Sequence, residues 1–323
     1  MRVAFVGKGG SGKTTLSSLL CRYLASGQWP VMAMDADINQ HLGMALGLSE
    51  TEAATLVPMG LEIERIKAYV RGSNPRLPST ASMLKTTPPG TGSRLLRLDE
   101  PNPLWEHFAR EVAGVHLLVT GPFSQEDLGH RCYHSKVGAV ELILNHLLDG
   151  PGEYVVVDMT AGADSFASGM FTKFDLTFLV VEPTLKSLGV YKQYQEYARE
   201  YDVRIRVIGN KVESEEDVQF LREQVGADLL TWLGRSAYVR AQEKGQYLPF
   251  ERLEPEHVQA LVTMKQALDS GQKDWEKLYA QTVEFHRKNA LGWANASLGE
   301  DVTSQIDPTF SLSEAARGYV TAS

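Results

Sequence analysis

Residues 7–14 read Gly-Lys-Gly-Gly-Ser-Gly-Lys-Thr, a gapless G-x-x-x-x-G-K-[ST]. Glycines at this spacing let successive backbone N–H groups turn inward around a phosphate, and a helix starting at the second lysine adds its positive N-terminal end. Gly9, Gly10, Ser11, Gly12 and Thr15 then supply the cradle. Lys13 reaches the β- and γ-phosphates, and Thr14 offers its hydroxyl to Mg²⁺. The chemistry predicted is binding of ATP or ADP with magnesium.

Carboxylates at strand ends are the next candidates. Asp35-Ala36-Asp37 closes one apolar run, and Asp158 closes Val155–Val157 before Met-Thr-Ala-Gly162. At the C-terminal edge of a parallel sheet such groups sit beside the ligand crevice. Asp158 can reach Mg²⁺ through water, and Asp35 is expected to hold the phosphate loop and the water shell of the ion. A third cluster, His130, Cys132 and His134, offers imidazole and thiolate donors at i, i+2 and i+4, which suit Zn²⁺ or Ni²⁺. Cys21, inside an apolar helix, reads as core.

Seven apolar runs are strand candidates: Val3–Val6, Val31–Asp35, Val115–Thr120, Tyr154–Asp158, Leu176–Val181, Ile205–Ile208 and Leu229–Leu233. Most are rich in Val, Ile and Leu on both parities, the pattern of buried parallel strands. Helical stretches Lys13–Ala25, Lys136–Leu148, Leu185–Glu200 and Ser214–Val225 lie between them. The alternation predicts an α/β fold: a doubly wound, mostly parallel sheet with helices on both faces. Residues 50–113 form an insertion whose turn-rich middle, Thr86–Ser93, reads as a mobile loop. Glu254–Leu268 and Lys273–Lys288 read as helices of a C-terminal appendage packed on the core, with a polar, weakly patterned tail at 291–323. The domain reading is 1–253 for the nucleotide-binding part and 254–323 for the extension.

Bulk properties narrow the partners. The chain has 323 residues and a net charge of −8, which argues against a nucleic-acid or anionic-membrane surface. No apolar run approaches a membrane span, and the first residues lack a secretory h-region. With two cysteines no disulfide framework is available, so a cytoplasmic location is expected.

Lys8, a second lysine inside the loop, makes Lys8–Thr15 resemble the deviant Walker A motif of the MinD/ParA/iron-protein class of P-loop ATPases. The resemblance covers roughly residues 1–250. It implies a slowly hydrolysing dimer joined across its nucleotide face, in which Lys8 acts in trans on the partner's phosphates. It further implies that Asp37, as the switch I aspartate, positions the attacking water. Asp158–Gly162 becomes Walker B with switch II, Gly162 sensing the γ-phosphate, and Asn210-Lys211 reads the adenine. Gly234-Arg235-Ser236 departs from the Pro-x-Asp form common in the class. Asp158–Gly162 and Val181–Leu188 look most like the CooC-type ATPases, which help insert nickel into carbon monoxide dehydrogenase. That family shares a metal between subunits through Cys-x-Cys; here His130-Arg131-Cys132-Tyr133-His134 stands in its place, and one Cys and one His per subunit would complete a tetrahedral site in a dimer. Two functions fit these residues. One is an ATPase delivering metal to a client metalloenzyme. The other is a metal-independent, nucleotide-gated interaction or positioning switch.

Overall fold

The computed structural model describes residues 1–122, 133–160 and 169–320. Ten strands occur among them: β1 (Arg2–Gly7), β2 (Val31–Ala36), β3 (Leu96–Arg97), β4 (Arg110–Val112), β5 (Val115–Val119), β6 (Leu147–Leu148), β7 (Tyr154–Met159), β8 (Leu176–Val181), β9 (Ile205–Gly209) and β10 (Leu229–Trp232). Eight form one sheet in the order β10-β9-β8-β1-β7-β2-β5-β4, parallel except for the β4–β5 pair, while β3 and β6 pair separately. The seven expected strands are all present, within one or two residues at their ends.

Why the sheet is parallel follows from burial. Every residue of β1, β2, β7 and β8 is buried, so both faces must be covered. On one face Ala4, Val6, Val155 and Val157 pack with Ile66 and Val70, Val140 and Leu144, and Leu188 and Tyr191 of three helices. On the other, Val3, Phe5, Val156 and Phe178 pack with Leu16, Leu20 and Leu24 of the helix Lys13–Ser26. The period-two alternation along β1 sends neighbouring residues to these two opposite layers.

The hairpin strand β4 was not expected. Its turn, Ala113-Gly114, has φ of +51° and +75°, the doubly left-handed geometry of tight hairpins. Ala-Gly is a weak signal for that geometry.

The C-terminal region folds as helices Pro255–Asp269 and Trp275–Asn289. Leu261, Met264 and Leu268 of the first join the same layer as the helix Lys13–Ser26. The tail is more ordered than its composition suggests: Val302, Leu312, Ala316 and Tyr319 are buried, and Leu312–Val320 is helical. The segment Thr86–Ser93 corrects the expectation of a mobile loop. Thr86 to Gly90 are buried. Thr86 meets His286 Nδ1 at 3.3 Å, Thr87 donates to Gln305 Oε1 at 3.0 Å, and the Thr91 amide donates to Asp307 Oδ2 at 2.9 Å. Its turn residues serve tight packing against the tail, a contact that local sequence does not encode.

Candidate functional site: a phosphate loop at the sheet edge

β1 ends at Gly7 and the helix begins at Lys13, so residues 8–12 must reverse the chain within a few ångströms of β8. Gly7 has φ +149°, and a Cβ there would fall 2.4 Å from Val180 O. Gly12 occupies the N-cap position with φ +96° and contributes no capping side chain, so first-turn N–H groups remain for an anion. Lys13 is buried, and Lys8 is partly exposed in the loop, its carbonyl accepting the Ser11 N–H at 3.1 Å. The Ser11 hydroxyl is buried without a hydrogen-bond partner.

The sheet register brings the carboxylates together. Asp158 pairs with Phe5 of β1 on one side and with Asp35 of β2 on the other. Thr14 Oγ1 donates to Asp158 Oδ2 at 2.6 Å, while Asp158 Oδ1 is buried with no partner. Burial pushes the Asp158 carboxyl up to about 7; the Thr14 hydrogen bond and the Lys13 charge oppose this, and Asp37 adds to it. An orphaned carboxylate oxygen beside a threonine hydroxyl is a donor set that fits Mg²⁺.

Asp35 is also fully buried, and its carboxyl is raised well above the usual range by burial and by the neighbouring Asp158. Its oxygens accept the backbone N–H groups of Leu42 at 2.9 Å and Asp37 at 3.2 Å. Asp35 thus organises the turn after β2. Asp37 lines the cleft and accepts from Asn39 N and Nδ2, each at 3.0 Å. Gln40, which sequence reasoning passed over, holds this turn to the end of β5: it donates to Thr120 Oγ1 at 3.0 Å and accepts from Gly121 N at 3.1 Å. Its φ of +52° is the only local mark of that role, and no residue-type pattern announces it.

Asn210 and Lys211 reach the loop from the end of β9. Asn210 Nδ2 donates to Ser11 O at 2.7 Å; Lys211 Nζ donates to Gly10 O at 2.7 Å and pairs with Glu182 Oε1 at 2.6 Å. The cleft lined by Gly9, Gly10, Gly12, Lys13, Thr14, Thr15, Asp37, Asn210, Arg235 and His257 has a volume of about 890 Å³, within the range of nucleotide-sized sites. Cys21 is buried in the helix behind it, its thiol pKa pushed up by burial.

Cys132, His130 and Gly162 lie outside the described residues, as does the side chain of His134 at the start of the helix Tyr133–His146. Among the described residues no group of three or more His, Cys, Asp or Glu side chains is placed to hold a metal ion. None of the described helices is long and apolar enough to cross a membrane.

Comparison with known proteins agrees with this geometry. Residues 3–248 match the CobQ/CobB/MinD/ParA nucleotide binding domain. The chain is 31% identical to the carbon monoxide dehydrogenase accessory protein CooC of Rhodospirillum rubrum over 72% of its own length and 82% of that protein. It is 28% identical to an uncharacterized ATP-binding protein of Methanocaldococcus jannaschii, over 77% and 89% of the two chains. Among solved structures, an ATP complex of a Cyanothece McdA variant superposes with a TM-score of 0.55 at 15% identity, covering 84% of this chain and 98% of that one. The Aquifex aeolicus MinC:MinD cell division protein complex gives 0.53 at 19% identity, covering 84% of this chain and 97% of the matched one. A gapless phosphate loop on the central strand, a Thr–Asp pair beneath it and a match over three quarters of the sequence lead to one conclusion: the chain belongs to the CobQ/CobB/MinD/ParA family of nucleotide-binding domains.

Proposed function

We propose that this protein is an ATP-hydrolysing, dimeric molecular switch that serves metallocentre assembly. The observation that carries the switch is the Thr14–Asp158 contact at 2.6 Å with Asp158 Oδ1 left unpartnered. Residues 1–253 act as the ATPase unit and 254–323 as its extension.

Thr14 and, through water, Asp158 would hold Mg²⁺, which when bound neutralises phosphate charge. Lys13 and the loop amides bind and orient the phosphates. Asp37, steadied by Asn39, accepts a hydrogen bond from the attacking water and aims it in line with the γ-phosphorus. Lys8 of one subunit reaches the partner's nucleotide and stabilises charge on the transferring group, so hydrolysis needs the dimer. Asn210, whose Nδ2 is held by Ser11 O, offers Oδ1 to the base, and Gly162 reports loss of the γ-phosphate.

The metal role is supported by the likeness to CooC, an accessory protein of carbon monoxide dehydrogenase. It is supported too by His130, Cys132 and His134 at the entry to the helix Tyr133–His146. In this reading one Cys and one His from each of two subunits hold Ni²⁺ or Zn²⁺ as cargo for a client metalloenzyme. A second reading, a metal-independent interaction switch, is favoured by Leu291, Trp293 and Leu298, which stand exposed on the C-terminal extension. Titration of Ni²⁺ and Zn²⁺ into untagged wild type and Cys132→Ala, with and without a non-hydrolysable ATP analogue, tests the choice. Binding lost in Cys132→Ala and altered by nucleotide supports metal delivery; equal binding by both proteins supports the interaction switch.

A further inference from the structure

The family match ends at residue 248, but the wall of the nucleotide cleft continues past it. The cleft is also lined by Gly234-Arg235-Ser236, the segment that departs from the Pro-x-Asp form and follows β10, three places from β1 in the sheet. A Gly-Arg-Ser stretch has no ring to fix its path and loses much backbone freedom when ordered. Something else must hold it.

Two residues at the start of the helix Pro255–Asp269 do so. Glu254 Oε2 accepts the Ser236 hydroxyl at 2.7 Å, and Oε1 accepts the backbone N–H groups of Ala237 at 2.7 Å and Tyr238 at 3.2 Å. Burial opposes ionisation of Glu254, but these donors outweigh it and hold the carboxyl below the usual range. One turn on, His257 is 3% exposed, lines the cleft and places Nε2 3.3 Å from Gly234 O. A carbonyl can only accept, so Nε2 carries a proton, while Nδ1 is buried without a hydrogen-bond partner, 3.8 Å from Glu254. The helix that carries both residues is itself fixed: Leu261, Met264 and Leu268 share a layer with Leu16, Leu20 and Leu24 of the phosphate-loop helix.

We propose that Glu254 and His257 are positioning residues for the base of the bound nucleotide, setting the path of Gly234–Tyr238 so that the C-terminal helix helps to determine affinity for the nucleoside part of the ligand. This inference deepens the nucleotide-switch reading and rests on it. Phosphate contacts at residues 9–15 are blind to the base. The base end gains affinity only when its wall is already ordered, since ordering the loop on binding would subtract from the free energy of binding.

The test uses the full chain and two probes, Mg·ATP and Mg·tripolyphosphate, the second lacking any nucleoside. Calorimetry on wild type, Glu254→Ala, Glu254→Gln and His257→Ala should show ATP affinity falling roughly tenfold in Glu254→Ala, the loss of about one hydrogen bond's worth. His257→Ala should fall several-fold. Glu254→Gln should retain most affinity, because its amide oxygen still accepts from Ala237 and Tyr238. Tripolyphosphate affinity should stay constant throughout. In wild type, ATP but not tripolyphosphate should slow hydrogen exchange at residues 237–239, a readout independent of any variant's folding. Unchanged ATP affinity in the alanine variants, a parallel loss for both probes, or equal exchange with the two ligands overturns the proposal. Wild type binding neither probe would remove the nucleotide reading itself.

Discussion

Asn210 and Gly12 are in direct contact through the phosphate loop. The Asn210 Nδ2 that donates to Ser11 O stands 2.1 Å from where a Cβ on Gly12 would be. The contact joins the end of β9 to the N-cap of the nucleotide-binding helix, so the loop's shape depends on a residue some two hundred positions away.

Gly12→Ala should therefore be severe. At φ +96° an L-residue is strained by about 1–3 kcal/mol, and Asn210 must also withdraw. Expected are a lower unfolding temperature and loss of measurable ATP binding. Ordinary ATP affinity in Gly12→Ala would show that Asn210 does not constrain the loop.

Hydrolysis should separate from binding. Lys8→Ala and Asp37→Ala should both keep ATP affinity within a few-fold, because neither supplies the phosphate cradle, and both should lose hydrolysis by a factor on the order of a hundred or more. Asp37→Ala should accumulate ATP-bound dimers on size-exclusion chromatography. Wild-type turnover per subunit should drop on dilution below the dimer dissociation constant; a constant rate per subunit would rule out the trans role of Lys8.

Lys173 gives the apoprotein a pH signature. Its ammonium is buried and donates to Thr282 Oγ1 at 2.6 Å. Burial lowers its pKa to about 8, against the pull of Glu141, with Arg2 adding to the lowering. Between about 8 and the ordinary lysine value near 10.4, the unfolded chain holds a proton that the native state has released. The lysine's contribution to stability must then rise with pH across that window. Urea titrations of wild type and Lys173→Met at pH 8 and pH 10 should show wild type gaining relative to the variant. Parallel pH trends would mean that Lys173 is not titrating as a buried group.

Legibility followed the range of the physics. The phosphate loop, Asp158 and the seven buried strands were readable because each depends on residue type at short spacing: glycines for a turn, apolar residues on both parities for a strand covered on both faces. Gln40, Glu254 and His257 were not. Their roles come from tertiary placement, and a Gln, a Glu and a His at these positions look like any polar surface residue. Asp35 was legible as a site carboxylate, but its oxygens proved to serve backbone amides. Thr86–Ser93 misled for the same reason, since turn residues mark a change of direction and say nothing about what covers it.

The tail offers a direct check on that last point. Removing residues 290–323 deletes the buried side chains Val302, Leu312 and Tyr319 along with Gln305 and Asp307, partners of Thr87 and Thr91. At about 1.5–3 kcal/mol per large buried apolar side chain, stability should fall by roughly 5 kcal/mol or more, read as a lower urea midpoint. A midpoint unchanged from wild type would mean that the tail does not pack on the insertion as described.

Everything proposed for this protein depends on Mg·ATP binding at residues 7–15 with Asp158. The most direct measurement is isothermal calorimetry of Mg·ATP with wild type and Lys13→Ala, with thermal unfolding of both to confirm that they fold. Lys13 contributes a charge-assisted contact worth about 1.5–3 kcal/mol, so wild type should bind saturably and the variant should lose at least tenfold in affinity, with similar unfolding temperatures. Equal affinity in the two proteins, or no binding by wild type, would contradict it.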